Sequence, residues 1–151
     1  MSHMMDHPLP MSTLYEGAVR VYPEQEVVSV ESDLSIRRQT YAQTDERIRR
    51  LATALETKLG VSAGGTVATF AWNNVRHHEI YWATANTGRV CHTLNIRLFA
   101  DQLEYIINHA GDEVIFVDPG LVPLLAPLVN ELPSVRAYVI MADGLHGADL
   151  P

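Results

Sequence analysis

Val114-Ile115-Phe116-Val117 is apolar at four successive positions and is bracketed by Asp112-Glu113 and Asp118-Pro119. A strand wetted on one side would alternate, so this run predicts a strand in the middle of a sheet covered on both faces. Working outward, the elements alternate. Thr66 to Ala71 reads as a strand behind the Gly64-Gly65 turn, and Asn73 or Asn74 is placed to cap a helix that runs to about Asn86 and stops at Gly88. Val90 to Leu94 is a short strand. Leu98 to Ala110 is a helix expected to be buried through Leu103, Ile106, Ile107 and Ala110 and closed by Gly111. After the central strand comes a helix made irregular by Pro123 and Pro127, then a last strand at 136–140. Strictly alternating strands and helices predict an α/β unit, a mostly parallel sheet with helices on both faces in three layers.

A short helix and a β-hairpin are expected ahead of that unit. Thr13 to Val21 places Leu14, Ala18 and Val21 on one stripe, and Pro23 ends it. Val27 to Val30 and Ser35 to Gln39 read as two strands around a polar turn at Ser32-Asp33. Thr40-Tyr41-Ala42-Gln43 fits the T-x-x-Q capping box. Tyr41, Thr44, Ile48, Leu51, Ala52, Leu55 and Leu59 then follow at helical spacing, and Gly60 suits the left-handed closing position of a helix over 41–59. Residues 1–10, beginning Met1-Ser2-His3-Met4-Met5, read as a tag remnant and loose arm. Residues 11–141 form the partial α/β domain, and 142–151 lose periodicity as a linker or truncated tail.

Composition narrows the function. Hydrophobic residues are 47% of the 151 and DEKR 19%, which excludes wholesale disorder and fits one domain. Eighteen acidic against eleven basic residues give a charge of −7, which argues against a nucleic-acid module. Cys91 is the only cysteine, which excludes an internal disulfide or a Cys-based zinc cluster and suggests a cytoplasmic protein. No run approaches the roughly 18 apolar residues of a membrane helix. Ten of the eleven basic residues are arginine, and the only lysine is Lys58.

Sites of chemistry are scarce. His77-His78-Glu79 tempts a metal reading, but adjacent helical residues point about 100° apart and cannot share one ion as an i, i+4 pair can. A polar helix face is expected there. Cys91 and His92 lie on a strand whose alternation sends them to opposite faces, which disfavours a Cys-His pair. Asp112, Asp118 and Asp143 read as caps or turn residues, with nothing pairing them as an acid/base couple. G-x-G-x-x-G and G-x-x-x-x-G-K-[ST] are absent, and Gly60-Val61-Ser62-Ala63-Gly64, which spells G-x-S-x-G, joins a helix to a strand and so makes no strand-to-helix nucleophile elbow. The residues alone predict neither a catalytic set nor a metal site.

From Thr40 to about Met141 the chain resembles the N-terminal part of ATP-dependent acyl-CoA ligases, the adenylate-forming, AMP-binding enzymes. The resemblance rests on Thr40-Tyr41-Ala42-Gln43, Gly65-Thr66-Val67-Ala68, His92-Thr93-Leu94-Asn95-Ile96-Arg97-Leu98, Tyr105-Ile106-Ile107-Asn108-His109-Ala110 and Val114-Ile115-Phe116-Val117-Asp118. The H-T-L-N-x-R-L run, and A-W-N-N before R-H-H-E, are most similar to the medium- and long-chain fatty-acid branch. The resemblance implies a fragment, about the opening quarter, of an enzyme that joins a fatty acid to coenzyme A. ATP and Mg²⁺ would serve an acyl-adenylate intermediate. The family's phosphate loop and its lysines are missing, so the fragment alone is expected to be inactive and to hold no cofactor itself. Arg97 is the one site residue implied, as a ligand of the coenzyme A nucleotide. Ile96 stands where the family usually has proline, which removes a fixed φ from that turn. Pairing of Arg97 with Asp101 or Glu104 is the plainer alternative. Apolar surface on Val67 to Phe70, Val114 to Val117, Tyr81, Trp82 and Leu121 to Leu128 is expected to be left uncovered and to drive a homodimer. The competing reading is a non-catalytic α/β ligand-binding or assembly module.

Overall fold

The computed structural model describes residue 8, residues 10–31 and residues 34–142. The Ser32-Asp33 turn, Asp143, and most of the arm over 1–10 and the tail over 142–151 lie outside the described residues. Helix α1 (Met11–Val21) precedes an antiparallel hairpin of β1 (Glu26–Val30) and β2 (Ile36–Thr40). Helix α2 (Tyr41–Thr57) starts at Thr40, whose hydroxyl accepts the Gln43 N–H at 3.2 Å while its own N–H donates to the Gln43 side chain at 2.8 Å. That is the reciprocal box the sequence spells out. Gly60 closes the helix at φ 61°, and Val61 N–H returns to the Leu55 carbonyl at 2.8 Å.

Four strands follow, β3 (Thr66–Phe70), β4 (Val90–Thr93), β5 (Val114–Val117) and β6 (Ala137–Ile140), separated by α3 (Val75–Ala85), α4 (Ala100–Ala110) and α5 (Val122–Leu125). They pair in parallel in the order β4-β3-β5-β6. Pro123 and Pro127 break the last helix as anticipated: α5 is one turn, flanked by 3₁₀ segments at Pro119–Leu121 and Ala126–Glu131.

Alternation along β3 and β5 divides the interior into two cores. Val67, Val114 and Phe116 pack with Ile48, Leu55 and Ile80 of α2 and α3. Ala68, Phe70, Ile115 and Val117 pack with Leu103, Ile107, Leu121 and Leu125 on the opposite face. The three-layer arrangement therefore holds. Two details differ. Ala110 is exposed, because only Leu103 and Ile107 of α4 reach the core fully. Helix α4 starts at Ala100 rather than Leu98, since Asn95 to Leu98 form a turn.

One expectation is overturned more substantially. None of residues 67–70 or 114–117 exceeds 4% exposure, so the chain's own helices seal both strands. Tyr81 is open as expected, and the rest of the open apolar surface includes Val28, Val30, Ile36 and Trp72. No helix among the described residues is long and apolar enough to cross a membrane.

Candidate functional site

Helix α3 lies on one face of the sheet, whereas α4 and α5 lie on the other. The chain leaving β3 therefore turns one way, and the chains leaving its neighbours β4 and β5 turn the opposite way. A divergence of that kind opens a crevice at the carboxyl ends of the strands. The crevice here is a groove of about 360 Å³ lined by Trp72, Asn73, Tyr81, Asn95 and Arg97, among others.

Its wall after β3 is clamped from below. The Asp118 carboxylate, 1% exposed at the end of β5, accepts the Trp72 N–H at 2.7 Å and the Asn74 amide at 3.2 Å on each oxygen. Asn74, one of the two anticipated caps, accepts the His77 N–H at 3.0 Å and starts α3. Ser29 of β1 accepts the next free amide, Val75 N–H, at 3.0 Å. His77 completes the clamp: Nδ1 lies 3.3 Å from the Trp72 carbonyl and Nε2 2.9 Å from the Thr69 hydroxyl. A carbonyl only accepts, so Nδ1 carries the proton and Nε2 accepts from Thr69. Burial lowers the His77 pKa and favours that neutral form.

Several sequence expectations change here. His77-His78-Glu79 is not a wetted polar face, since His77 and Glu79 are 7% and 4% exposed. The three side chains serve three partners. His77 faces Thr69; His78 Nε2 accepts from the Trp82 indole at 3.0 Å; Glu79 takes a bidentate pair from Arg47 at 2.6 and 2.9 Å. Asp118 caps no helix with its side chain and instead holds the Trp72 turn. Asp112 does have a titratable partner: buried completely, it meets His92 Nδ1 at 2.8 Å and ties β4 to the start of β5. Burial raises the Asp112 pKa, and the hydrogen bond from His92 works against that rise. Cys91 and His92 do face opposite cores, with Cys91 packed beside Val67 and its thiol pKa raised by burial.

The other wall is the turn after β4. Arg97 N–H donates to the Asn95 side-chain oxygen at 3.0 Å, and Leu98 N–H to the Asn95 carbonyl at 3.2 Å. The Arg97 side chain is exposed and forms no ion pair with Asp101 or Glu104. The groove thus offers a guanidinium with its paired N–H donors open, two exposed aromatic rings and two carboxamides, a set suited to a phosphate carried on a larger, partly flat molecule. The sequence reading did not mark Trp72, Asn73 and Tyr81 as site residues. Their only signal is an exposed aromatic residue beside a helix-capping asparagine, which means little until the β4 turn is seen opposite. Among the described residues no three His, Cys, Asp or Glu side chains converge as a metal centre requires.

Known proteins share this sequence and architecture. The chain is 42% identical over 148 residues to a medium-chain-fatty-acid–CoA ligase of Ectopseudomonas oleovorans, a match that covers 98% of this chain and 27% of that protein. It is 44% identical over 141 residues to a 3-methylmercaptopropionyl-CoA ligase of Ruegeria lacuscaerulensis, covering 93% and 26%. The chain therefore spans about a quarter of the length of these relatives. In fold it is similar to the N-terminal domain of FACL13 from Mycobacterium tuberculosis, with a TM-score of 0.80 at 24% identity, over 95% of this chain and 38% of that one. Residues 15–148 match the AMP-binding enzyme family, and the chain belongs to that family.

Proposed function

We propose that this chain is the N-terminal part of a fatty-acid–CoA ligase and that its groove receives the nucleotide end of coenzyme A. In such an enzyme ATP and a fatty acid give an acyl-adenylate and pyrophosphate, and the coenzyme A thiol then displaces AMP to give the thioester. The family match over residues 15–148 and the identity to two acid–CoA ligases support the reaction class. The groove's open guanidinium supports the site. Arg97 would bind a coenzyme A phosphate through paired N–H donors, and the clamped Trp72 turn would hold the opposite wall in place.

Among the described residues no three His, Cys, Asp or Glu side chains converge, and Lys58 is the C-cap of α2. No step of adenylation is therefore assigned to them. We expect the 151-residue chain by itself to release no pyrophosphate from ATP and fatty acid above a protein-free control. A cytoplasmic location fits the proposal. So does a homodimer, for which the exposed Val28, Val30 and Ile36 offer apolar surface. Light scattering should return twice the 16.8 kDa chain mass, and a monomer across a broad concentration range would contradict it.

The observation that carries the proposal is Arg97 standing exposed in the turn after β4, without an ion pair to Asp101 or Glu104 of the following helix, at the switch-point groove. In the complete ligase, Arg97→Ala should raise the apparent KM for coenzyme A about tenfold, the worth of one charge-assisted contact, and leave adenylate formation unchanged. Equal loss in both half-reactions would assign Arg97 a structural role and sink the site assignment.

A further inference from the structure

We propose that Asn95 is the positioning residue that presents Arg97 to the groove, doing with a side-chain hydrogen bond what a proline at position 96 would do with its ring. The assignment rests on the coenzyme A role proposed for Arg97. The turn from Asn95 to Leu98 is closed twice by one residue. The Asn95 carbonyl accepts Leu98 N–H at 3.2 Å, which is the ordinary β-turn bond, and the Asn95 Oδ1 accepts Arg97 N–H at 3.0 Å. The second bond fixes the backbone at the residue whose side chain matters, because the Arg97 amide is tethered to a group two residues upstream. Residue 96 cannot supply this constraint, since isoleucine leaves φ free within the allowed region whereas proline sets it near −65°. Ile96 instead packs its side chain against the core below α4, and its N–H takes part in no hydrogen bond.

The turn begins from a firm base. Leu94 is 5% exposed and its N–H bonds to the Thr69 carbonyl at 2.9 Å, and His92 is held by buried Asp112. On the far side Phe99 N–H is taken by the Gln102 side chain at 3.2 Å as α4 starts. Between these anchors only the Asn95 side chain restrains the Arg97 amide. Without it the guanidinium would sample positions away from the groove, and apparent affinity would fall by the fraction of time spent there.

The test uses the complete ligase and measures the two half-reactions separately. Asn95→Ala should raise the apparent KM for coenzyme A about three- to tenfold, as expected for one lost turn hydrogen bond, with the adenylation rate and melting temperature close to those of the parent. Asn95→Ala combined with Ile96→Pro should recover most of that loss, because proline restores the constraint without the carboxamide and displaces no bonded N–H. Arg97→Ala is measured alongside. If Arg97→Ala raises the KM and Asn95→Ala does not, the positioning role of Asn95 is wrong while the groove assignment stands. If Arg97→Ala leaves the KM unchanged, the groove assignment itself has failed. Loss of adenylation in Asn95→Ala, or failure of the proline variant to restore the KM, would make Asn95 an ordinary fold-stabilising turn residue.

Discussion

The two ends of the four-stranded sheet use their arginines in opposite ways. Where the strands begin, Arg89 and Arg136 are tied to backbone. Arg89 is 9% exposed and donates to the Val61 carbonyl at 2.9 and 2.6 Å, while Arg136 bonds to the Leu59 carbonyl and pairs with Glu113 at 2.7 Å. Those bonds lock the α2–β3 connection against the starts of β4, β5 and β6. Where the strands finish, the locking group is a carboxylate, Asp118, and Arg97 is left to solvent. An always-charged side chain is costly to bury and is buried here only with its donors satisfied. The same group left open on a rim costs little and is available to a ligand. The contrast separates a structural end of the molecule from the end at which we propose binding.

Arg89→Ala should have the largest effect on stability. It leaves the Val61 carbonyl unpaired and opens a void, so unfolding free energy should drop by about 2–4 kcal/mol in urea titrations. A change as small as that at an exposed site would erase the distinction between the ends. Asp118→Ala comes next, because it strips acceptors from the Trp72 amide and the buried Asn74 side chain, and should cost about 1–3 kcal/mol.

Most of the architecture behind this contrast was legible in the residues. The four-residue apolar run at 114–117, the T-x-x-Q box at Thr40 and the glycines at 60 and 111 are local signals, and each element appeared within a few residues of its expected place. The partners of the buried polar groups were not legible. Glu79 finds Arg47, Asp112 finds His92 and Asp118 finds Trp72 across 20 to 46 positions, and no periodicity encodes such pairings. The groove shared this difficulty. Arg97 was named through resemblance, but Trp72, Asn73 and Tyr81 join it only because β3 and β4 are parallel neighbours whose chains depart to opposite faces. The expected uncovered strands failed for a related reason: apolar count was visible, but not that α2 to α5 suffice to cover them.

A smaller effect should come from pH. The folded pKa of His77 lies below its ordinary value, so the unfolded chain binds that proton more readily. The resulting stability is complete above about pH 6.5 and is lost as pH falls through the folded value. His78 is shifted the same way by burial. Asp112, raised by burial, acts in the opposite sense, favouring the folded state as pH falls. His77→Gln should therefore flatten, without abolishing, the fall in urea midpoint between about pH 7.5 and about pH 5. An unchanged slope would show that His77 is not part of the clamp. The smallest effect belongs to Arg97→Ala, which should shift stability by no more than about 0.5 kcal/mol, as befits an exposed side chain.

The claim that the finishing ends of the strands form the binding end is tested most directly by arginine footprinting of the complete ligase. Phenylglyoxal modification of each arginine would be followed by peptide mass, with and without coenzyme A. Arg97 should react readily in the free enzyme and slowly with coenzyme A present, while exposed Arg38 reacts at the same rate in both and buried Arg89 stays unmodified throughout. Protection of other arginines with Arg97 equally reactive in both samples would contradict the assignment of the groove.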